Sequence, residues 1–431
     1  MKYSHYNSVI TISGRHTLIY NSLTEKFIVF KDKSVILNDG GEGIDEKDVD
    51  LPDFNRMIEA GVIIDDDVDE PQKLLNLISE MENNRNEYIL HINPTLDCNF
   101  RCWYCYENHL PGSVMSGNTI NATRSFISKL LDSRPEIKVL RIGFFGGEPL
   151  LHFNDTVRPI LEYAKSMTDS HGVRLTCNFT SNGSLVNDDY IGFLKEFNPG
   201  FQITLDGGKE SHDKVRFHKG GRGSYDDILS AVTRLAENGA DIILRINFTS
   251  ANLGTVARIC EDLRHLPEKA RRNIRIDLQR VWQDRATGKD ETEDRALEVR
   301  HMFTQAGFHV IPNYIPSHVR YPCYGDKRNH VLINYDGRLF GCTARDFNDA
   351  NSIGHLSESG TLIFDKARYE RRLNAKMAKA VCRTCRIAPI CGGGCRQRAM
   401  EADDKERCVF NYSEKDKDDI VLDIFEHCYC R

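Results

Sequence analysis

The cysteines of this chain form two groups whose spacing suits metal binding. The first group, Cys98, Cys102 and Cys105, has the spacing C-x3-C-x2-C. Three thiolates on one loop can hold three irons of a four-iron cluster and leave the fourth iron open, as a catalytic zinc keeps one position open for water. An open iron can bind a substrate or a cofactor. The alternative is a zinc knuckle completed by a distant ligand such as His109.

The second group contains seven cysteines in the C-terminal quarter of the chain. Its spacing is C-x13-G-x4-C, then C-x2-C-x5-C-x3-C, then a single cysteine, and the glycine is Gly337. This differs from the two C-x2-C pairs of a zinc ribbon. The members are Cys323, Cys342, Cys382, Cys385, Cys391, Cys395 and Cys408. Two further cysteines, Cys177 and Cys260, fall within a strand and a helix pattern and are expected in the core.

Composition favours metal ligands over disulfides for these cysteines. The chain has 431 residues, 40% of them hydrophobic and 28% charged, and a net charge of -6. These values indicate a soluble globular protein and give no reason to expect binding to nucleic acid or to a membrane. The N-terminus shows no apolar signal region, so we expect a cytoplasmic location, where thiols stay reduced.

The elements that must position the first cysteines form a repeating strand–helix pattern from residue 88. Strands are expected at YILHI, VLRIGFF, RLTCNFT, FQITL, IILRINF and IRIDLQ, with helices over 119–131, 157–167, 185–197, 225–238, 253–263 and 293–305. Six such units predict an α/β fold with a partial (β/α)6 TIM-like barrel over 88–310. Active-site loops of such barrels follow the strands.

The first 87 residues differ because they contain no cysteine. HTLIY and KFIVF flank a predicted hairpin turn, SVIL is a third strand, and helices are predicted over 51–60 and 71–84. This pattern indicates a small α+β domain, loosely like a winged helix. We predict three domains: 1–87, 88–310 and a cysteine-rich domain over 311–431.

Further chemical groups follow the predicted strands, as barrel chemistry requires. Gly146, Gly147, Glu148 and Pro149 follow the second strand, and the glycines would let the backbone approach a ligand closely. Thr180, Ser181, Asn182 and Gly183 follow the third strand, and Asp206 follows the fourth. Arg216 comes later in the chain, and its guanidinium could pair with a carboxylate through two parallel hydrogen bonds. A surface salt bridge would also explain an arginine at this position. His212 and Asp213 are expected to brace this loop.

The cysteine loop and these strand-end groups together resemble the radical S-adenosylmethionine (SAM) superfamily. Tyr104 matches the aromatic residue that usually precedes the third cysteine. The resemblance implies that Cys98, Cys102 and Cys105 hold a 4Fe-4S cluster whose open iron chelates SAM. It places Glu148 near the SAM amino group, Arg216 near the SAM carboxylate, and Ser181, Asn182 and Asp206 among the cofactor contacts. Reductive cleavage of SAM would then give a 5′-deoxyadenosyl radical.

The second cysteine group resembles the SPASM extension of radical SAM enzymes, which holds two auxiliary 4Fe-4S clusters. By that match Cys323, Cys342 and Cys395 bind the nearer cluster, and Cys382, Cys385, Cys391 and Cys408 bind the outer one. Several SPASM enzymes have one more cysteine where this chain has Asn329. The nearer cluster would therefore have an open iron, or a fourth ligand such as His330, Cys428 or Cys430.

The resemblance implies an enzyme that modifies a peptide. Our leading hypothesis is a maturase that forms a thioether cross-link in a ribosomally made precursor peptide. The N-terminal domain would bind the leader, and flavodoxin or ferredoxin would supply electrons. A substrate cysteine on an open auxiliary iron would be held for coupling to the carbon radical, and the auxiliary cluster would accept the remaining electron. The N-terminal domain could instead be a structural cap on the barrel.

Three alternatives remain at this point. The same machinery would serve carbon–carbon cross-linking or epimerisation. An anaerobic sulfatase-maturating enzyme typically has an aspartate after the second SPASM cysteine, whereas Thr343 follows Cys342 here and Asp346 is displaced. A non-enzymatic electron carrier or zinc scaffold would need no SAM pocket.

Overall fold

The computed structural model describes residues 1–12, 16–31, 51–284, 291–311, 318–402, 404 and 406–429. The chain divides into two compact units. The first comprises residues 1–84, 313–328 and 366–431, and the second comprises residues 85–312 and 329–365. This division differs from the three predicted domains, because the C-terminal part of the chain contributes to both units.

The strands of the described chain are short and regular. They are β1 (Lys2–Tyr3), β2 (Asn7–Ile12), β3 (His16–Asn21), β4 (Lys26–Lys31), β5 (Ile63–Ile64), β6 (Glu87–Ile92), β7 (Phe100–Cys102), β8 (Val139–Phe144), β9 (Arg174–Thr180), β10 (Gly200–Leu205), β11 (Arg216–His218), β12 (Asp241–Phe248), β13 (Ile274–Arg280), β14 (His309–Val310), β15 (His330–Ile333), β16 (Arg338–Phe340), β17 (Gly354–Leu356) and β18 (Leu362–Phe364).

The α-helices connect most of these strands. They are α1 (Leu51–Glu59), α2 (Glu70–Glu82), α3 (Gly117–Ser133), α4 (Arg158–His171), α5 (Asp188–Leu194), α6 (Lys209–Val215), α7 (Tyr225–Glu237), α8 (Ala257–Leu263), α9 (Glu268–Arg271), α10 (Glu291–Gln305), α11 (Lys366–Leu373), α12 (Ala380–Arg383), α13 (Ala388–Cys391), α14 (Arg396–Glu401) and α15 (Glu414–Tyr429). None of the helices in the described part of the chain is both long and apolar enough to cross a membrane.

The second unit is built on one large, mostly parallel sheet. Its order is β14-β13-β12-β10-β9-β8-β6-β15-β16-β17-β18. The six predicted parallel strands are confirmed as β6, β8, β9, β10, β12 and β13. The sheet begins at β14 and ends at β18, so the barrel is open rather than closed. The predicted α/β fold with a partial barrel is confirmed.

The sheet extends past β6 because β15 pairs with that strand in parallel, with His330 opposite Ile89. The strands from β15 to β18 then continue as antiparallel neighbours. Segment 329–365 therefore completes the sheet, although the sequence pattern had placed it in the cysteine-rich domain.

Alternating burial along the strands separates the core from the polar side of this sheet. In β10, Phe201, Ile203 and Leu205 are buried, and the side chains between them, Gln202 and Thr204, line a cavity. Because successive side chains of a strand point to opposite faces, one face packs against the helices and the other can carry chemistry.

The first unit joins the N-terminal segment to the C-terminal segment through a shared core. Strands β2, β3 and β4 form an antiparallel sheet, which confirms the predicted β3–β4 hairpin and adds β2. Helices α1 and α2 confirm the two predicted helices, whereas the predicted SVIL strand lies outside the described residues. Leu18 and Tyr20 pack with Ile387, Ile390 and Val421 in one apolar cluster.

Candidate active site

The first cysteine group lines a cavity of about 350 Å³ in the second unit. Cys98 lies in the loop after β6 and is buried, Cys102 ends β7, and Cys105 is exposed. Strand β7 pairs with β11, and this register sets Cys102 opposite Arg216. The pairing brings together two groups that are more than a hundred residues apart in the sequence.

Burial raises the pKa values of these thiols. The pKa of Cys98 is raised to about 12 by burial and by the nearby carboxylate of Glu148. Burial also raises the pKa of Cys105 to about 11. Since thiolates are the metal-binding form, loading of this site must release protons.

The two glycines after β8 pack against the segment that leads into the cysteine loop. Gly146 has φ +98°, and a Cβ there would lie 2.3 Å from the Thr95 carbonyl oxygen. A Cβ at Gly147 would lie 2.2 Å from the Asp97 carbonyl oxygen. Both glycines line the cavity. The close approach that requires them is to protein backbone, whereas the sequence had suggested approach to a ligand.

Glu148 is fully buried and accepts hydrogen bonds from the neighbouring loop. Its Oε1 accepts from Ser181 Oγ at 2.8 Å and from Leu150 N at 3.0 Å, at the start of the short helical turn Pro149–His152. Its Oε2 accepts from Asn182 N at 2.7 Å. Burial raises its pKa, although these hydrogen bonds oppose the rise. In this structure Glu148 therefore holds the loop after β9 in place.

Asn182 connects that loop to the cysteine loop. Its Nδ2 donates to Asn99 Oδ1 at 2.8 Å and lies 3.9 Å from Cys98 Sγ. Ser181 and Asn182 both line the cavity. The amide thus sits where it can stabilise the charge of a cluster-bound thiolate.

Tyr104 and Arg216 line the cavity, and Tyr104 connects Arg216 to the buried Asp206 by hydrogen bonds. The Tyr104 hydroxyl donates to the Asp206 carboxylate and accepts from Arg216 Nη1 at 2.9 Å. Asp206 is 1% exposed and Arg216 8% exposed, so a surface salt bridge for Arg216 is wrong. Among the residues that the structure describes, Asp206 Oδ1 and Arg216 Nε are buried without a hydrogen-bond partner. Burial raises the pKa of Asp206 to about 6.

His212 and Asp213 hydrogen-bond to the backbone around this group, which agrees with the prediction that they brace the loop. His212 is buried; its Nδ1 accepts from Asp206 N at 3.1 Å, and its Nε2 lies 3.0 Å from Ser224 Oγ. Burial lowers the pKa of His212 to about 3, which keeps the imidazole neutral. Asp213 accepts from the backbone N–H groups of Ser224 and Tyr225.

Several cavity residues were missed by sequence reasoning. Arg245 and Asn247 reach the cavity from β12, and Asn247 Nδ2 donates to the Tyr104 hydroxyl at 3.3 Å. The alternation of apolar and polar residues in β12 was a usable signal for them. Glu107 also lines the cavity, and burial together with the charge of Asp346 raises its pKa to about 8.

Four cysteines of the second group line a smaller cavity, of about 40 Å³, within the first unit. They are Cys382, Cys385, Cys391 and Cys408. Phe410 and Tyr412 contribute to the wall. Burial and the neighbouring cysteines raise the pKa of Cys382 to about 11 and that of Cys391 to about 12. The structure therefore brings these four thiols together.

The other three cysteines of the second group are divided between the units. Cys323 and Cys395 belong to the first unit and Cys342 to the second, so their common ligation stays a prediction. Asn329 Oδ1 accepts from Arg134 at 3.0 Å, and His330 Nε2 lies 3.0 Å from His91 Nδ1. Cys428 is exposed on α15, and Cys430 lies outside the described residues. Cys177 and Cys260 are confirmed as core residues.

The donor sets are cysteine thiolates, the ligands that hold iron–sulfur clusters. Cys105 Sγ lies 3.5 Å from His109 Nε2, and within the described ranges no three His, Cys, Asp or Glu side chains converge on one metal position. In a four-iron cluster each thiolate binds a different iron. The cavity around Cys98, Cys102 and Cys105 also has the polar wall that a charged cofactor requires.

Comparison with known proteins agrees with this interpretation. The sequence profile of the Radical SAM superfamily matches residues 92–263. A cysteine-type anaerobic sulfatase-maturating enzyme of Clostridium novyi is 27% identical over 332 residues, which are 70% of this chain and 85% of that protein.

Two solved structures share the fold. That of polyhistidine-tagged anSMEcpe with bound AdoMet has a TM-score of 0.58 and 17% identity, and the match covers 80% of this chain and 97% of that one. That of Streptococcus suis SuiB bound to the precursor peptide SuiA has a TM-score of 0.53 and 14% identity, over 94% and 98% of the two chains. The matched profile spans the first cysteine group and the strand-end motifs up to Arg216, and residues 92–263 of this chain are a radical SAM domain, which implies a SAM-binding 4Fe-4S cluster.

Proposed function

We propose that this chain is a radical SAM enzyme that oxidatively modifies a ribosomally synthesised peptide and forms a thioether from a cysteine sulfur to a carbon. The observation that carries the proposal is the shared cavity of Cys98, Cys102 and Cys105 with Asn182 and Arg216. When bound there, a 4Fe-4S cluster and SAM supply one-electron reduction and a 5′-deoxyadenosyl radical that removes hydrogen.

The chain's own residues would hold and orient these groups. The three thiolates would ligate the cluster, and Asn182 would donate toward Cys98. Arg216, held by Tyr104, would pair with the SAM carboxylate, since its Nε has no hydrogen-bond partner in the described part of the chain. Glu148 would act indirectly by fixing the loop that carries Ser181 and Asn182.

A peptide substrate is supported by the fold relatives. SuiB shares the fold over most of both chains, and it was solved with its precursor peptide. The second cavity supports an auxiliary cluster on Cys382, Cys385, Cys391 and Cys408, because it gathers four thiols. For the nearer auxiliary cluster we keep the open iron as the proposal. His330 Nε2 lies beside His91, which leaves Nδ1 as the ring nitrogen that could bind an iron instead, and Cys428 and Cys430 are the other candidate ligands.

A sulfatase-maturating activity is the second candidate. The Clostridium novyi relative favours it, because the match covers 85% of that protein. The residue after Cys342 weakens it, because Thr343 has no carboxylate that could act as a base. In this chain the nearest carboxylate along the sequence is Asp346, one oxygen of which is buried and has no hydrogen-bond partner within the described ranges.

One experiment separates the two activities. The enzyme is reconstituted anaerobically with iron, sulfide, SAM and dithionite, and is incubated either with the precursor peptide encoded beside its gene or with a sulfatase-derived cysteine peptide. A thioether product loses two hydrogen atoms and no longer reacts with an alkylating reagent. A formylglycine product reacts with a hydrazide.

The variants define what each result means. Cys102→Ala should abolish either product, and Cys177→Ala, a core cysteine of the same unit, should retain it. SAM cleavage without a change in the mass of either peptide would contradict both candidates for these substrates and would point to epimerisation. Loss of two hydrogen atoms with the cysteine still open to alkylation would point to a carbon–carbon bond. Absence of SAM cleavage in the iron-loaded wild type would contradict the enzyme proposal itself.

A further inference from the structure

The first unit contains a buried network of four charged side chains. Glu82, Asp326, Lys376 and Arg396 have side chains that are only 3–9% exposed. Arg396 bonds Glu82 Oε2 at 2.7 Å and Asp326 Oδ1 at 3.2 Å. Lys376 Nζ lies 2.9 Å from Asp326 Oδ2 and 3.4 Å from Glu82 Oε1. The two positive and two negative charges balance.

The members of this network come from three distant parts of the sequence. Glu82 is the last residue of α2, Asp326 lies in the segment before β15, and Arg396 begins α14. Arg396 also donates from Nη1 to the carbonyl oxygens of Arg372 and Leu373. All five donors of a guanidinium lie in one plane, so several simultaneous bonds fix its orientation.

Two cysteines of the second group stand directly beside this network. Cys323 opens the turn that ends at Asp326, and Asp326 N donates to the Cys323 carbonyl oxygen at 2.8 Å. Cys395 is the residue before Arg396 and caps α14. The 3.2 Å bond between Asp326 and Arg396 therefore ties together the two short segments that carry these thiols.

We propose that the Asp326–Arg396 pair positions Cys323 and Cys395 as ligands of one shared iron–sulfur cluster, and that Glu82 and Lys376 fix the pair. This rests on the proposed function, which supplies the auxiliary clusters. Asp326 and Arg396 are positioning residues, because they act through the backbone of their cysteine neighbours. Through its bond to Arg396, Glu82 also connects the pair to α2 of the N-terminal segment.

Stability alone is a weak reason for such a network. Taking charges out of water costs about as much as their mutual attraction returns, and packed apolar side chains often do as well. Directional hydrogen bonds to a planar guanidinium fix the orientation of a short segment, which apolar packing does not do. A cluster needs its thiolates at fixed positions, and supporting residues around metal ligands have this role.

The test compares the iron content and the spectra of reconstituted variants. The wild type should hold about twelve irons per chain, in three clusters of four. Asp326→Asn and Arg396→Lys should each hold about eight, with loss of one auxiliary signal in electron paramagnetic resonance of the reduced protein. The signal of the SAM-binding cluster, and its change when SAM is added, should be retained.

A destabilised variant without a link to the cysteines serves as the control. Met57 is fully buried in the apolar cluster around α1, in the same unit. Met57→Ala should lower the melting temperature of the cluster-free chain and keep all three clusters. Arg396→Lys preserves the charge and removes the fork, so it reports geometry if Asp326→Asn gives an insoluble chain.

The outcomes separate this inference from the proposed function. A wild type with only about four irons would contradict the auxiliary clusters themselves. A wild type with about twelve irons and an Arg396→Lys variant that keeps all of them would overturn the positioning role. Equal iron loss in Met57→Ala would overturn it as well, because the effect would then follow stability alone.

Discussion

The cavity of the first cysteine group and the cavity that gathers four cysteines of the second group differ in size and in the character of their walls. The cavity of Cys98, Cys102 and Cys105 measures about 350 Å³ and has arginine, asparagine and tyrosine side chains in its wall. The cavity of Cys382, Cys385, Cys391 and Cys408 measures about 40 Å³ and is closed by side chains such as Phe410 and Tyr412. The first has three cysteines and the second has four.

The difference separates two kinds of iron–sulfur chemistry. A site with three thiolates and a wide polar cavity has room for a ligand on the remaining iron. A site with four thiolates and an apolar wall leaves no ligand position and protects its contents from solvent, which suits electron transfer. Under the proposed function, bond cleavage would therefore belong to the large cavity.

Cys102→Ala should cause the largest effect and affect only the large cavity. Removal of one of three thiolates should lower SAM cleavage below detection, because the site has no spare ligand. The measurement is 5′-deoxyadenosine release under anaerobic reducing conditions. Residual cleavage above that of the cluster-free protein would show that the large cavity is not the SAM site.

Cys382→Ala should affect the function of the small cavity without affecting that of the large one. We expect the loss of about four irons per chain, the loss of the peptide product and the retention of SAM cleavage. Cys260→Ala, at a buried cysteine outside both cysteine groups, is the matched control and should keep the iron content and the product of the wild type. If Cys382→Ala also abolished SAM cleavage in properly folded protein, the two sites would not be functionally distinct.

Asp206→Asn should alter the pH dependence of stability in the cluster-free chain. Burial raises the pKa of Asp206 from 3.8 to about 6, so the folded chain binds this proton more tightly than the unfolded chain. The wild type should therefore gain stability as the pH falls through 6 toward 4, by at most about 3 kcal/mol. Urea unfolding should show that gain in the wild type and its absence in the variant.

Asp213→Asn provides a control of opposite sign. Burial alone would raise the pKa of Asp213, but hydrogen bonds from Tyr225 N–H, Lys209 and Ser224 N–H outweigh burial and hold that pKa below its usual range. The stability that ionised Asp213 contributes to the folded chain is therefore lost as the pH falls, and Asp213→Asn should not show this loss. The same pH response in both variants would contradict the assignment of the stability gain at low pH to Asp206.

Glu148→Gln should have the smallest effect of the four. The amide group of glutamine would face donors that now meet a carboxylate oxygen, at a cost of about 1–3 kcal/mol in the free energy of unfolding. Glu162→Gln, on the exposed face of α4, should change it by less than about 0.5 kcal/mol. A stability equal to the wild type in Glu148→Gln would mean that its loop is held by other contacts.

Much of the fold could be predicted from the sequence because the strands follow a clear pattern. The segment RLTCNFT coincides with β9, and IILRINF falls within β12 with one residue added at the start. The order of cysteines and strand-end motifs predicted that they meet at one edge of the sheet, and most of them line one cavity. Local alternation and parallel topology were sufficient for this.

The side-chain orientations could not be predicted in the same way. The sequence suggested that Glu148 faces a ligand, whereas its carboxylate accepts from Ser181 and Asn182. The pairing of Cys102 with Arg216 depends on two three-residue strands that are distant in the sequence. Such contacts depend on tertiary packing, for which a local pattern contains no information.

The pairing of β15 with β6 limits how modular this protein is. A chain cut to the predicted barrel, residues 88–310, would lack β15 and would expose the backbone N–H and C=O groups along one edge of β6. Uncovered edges of this kind recruit strands from other molecules. Residues 88–310 are therefore not a self-contained unit. Transfer of this chemistry to another protein would require residues 329–365 as well.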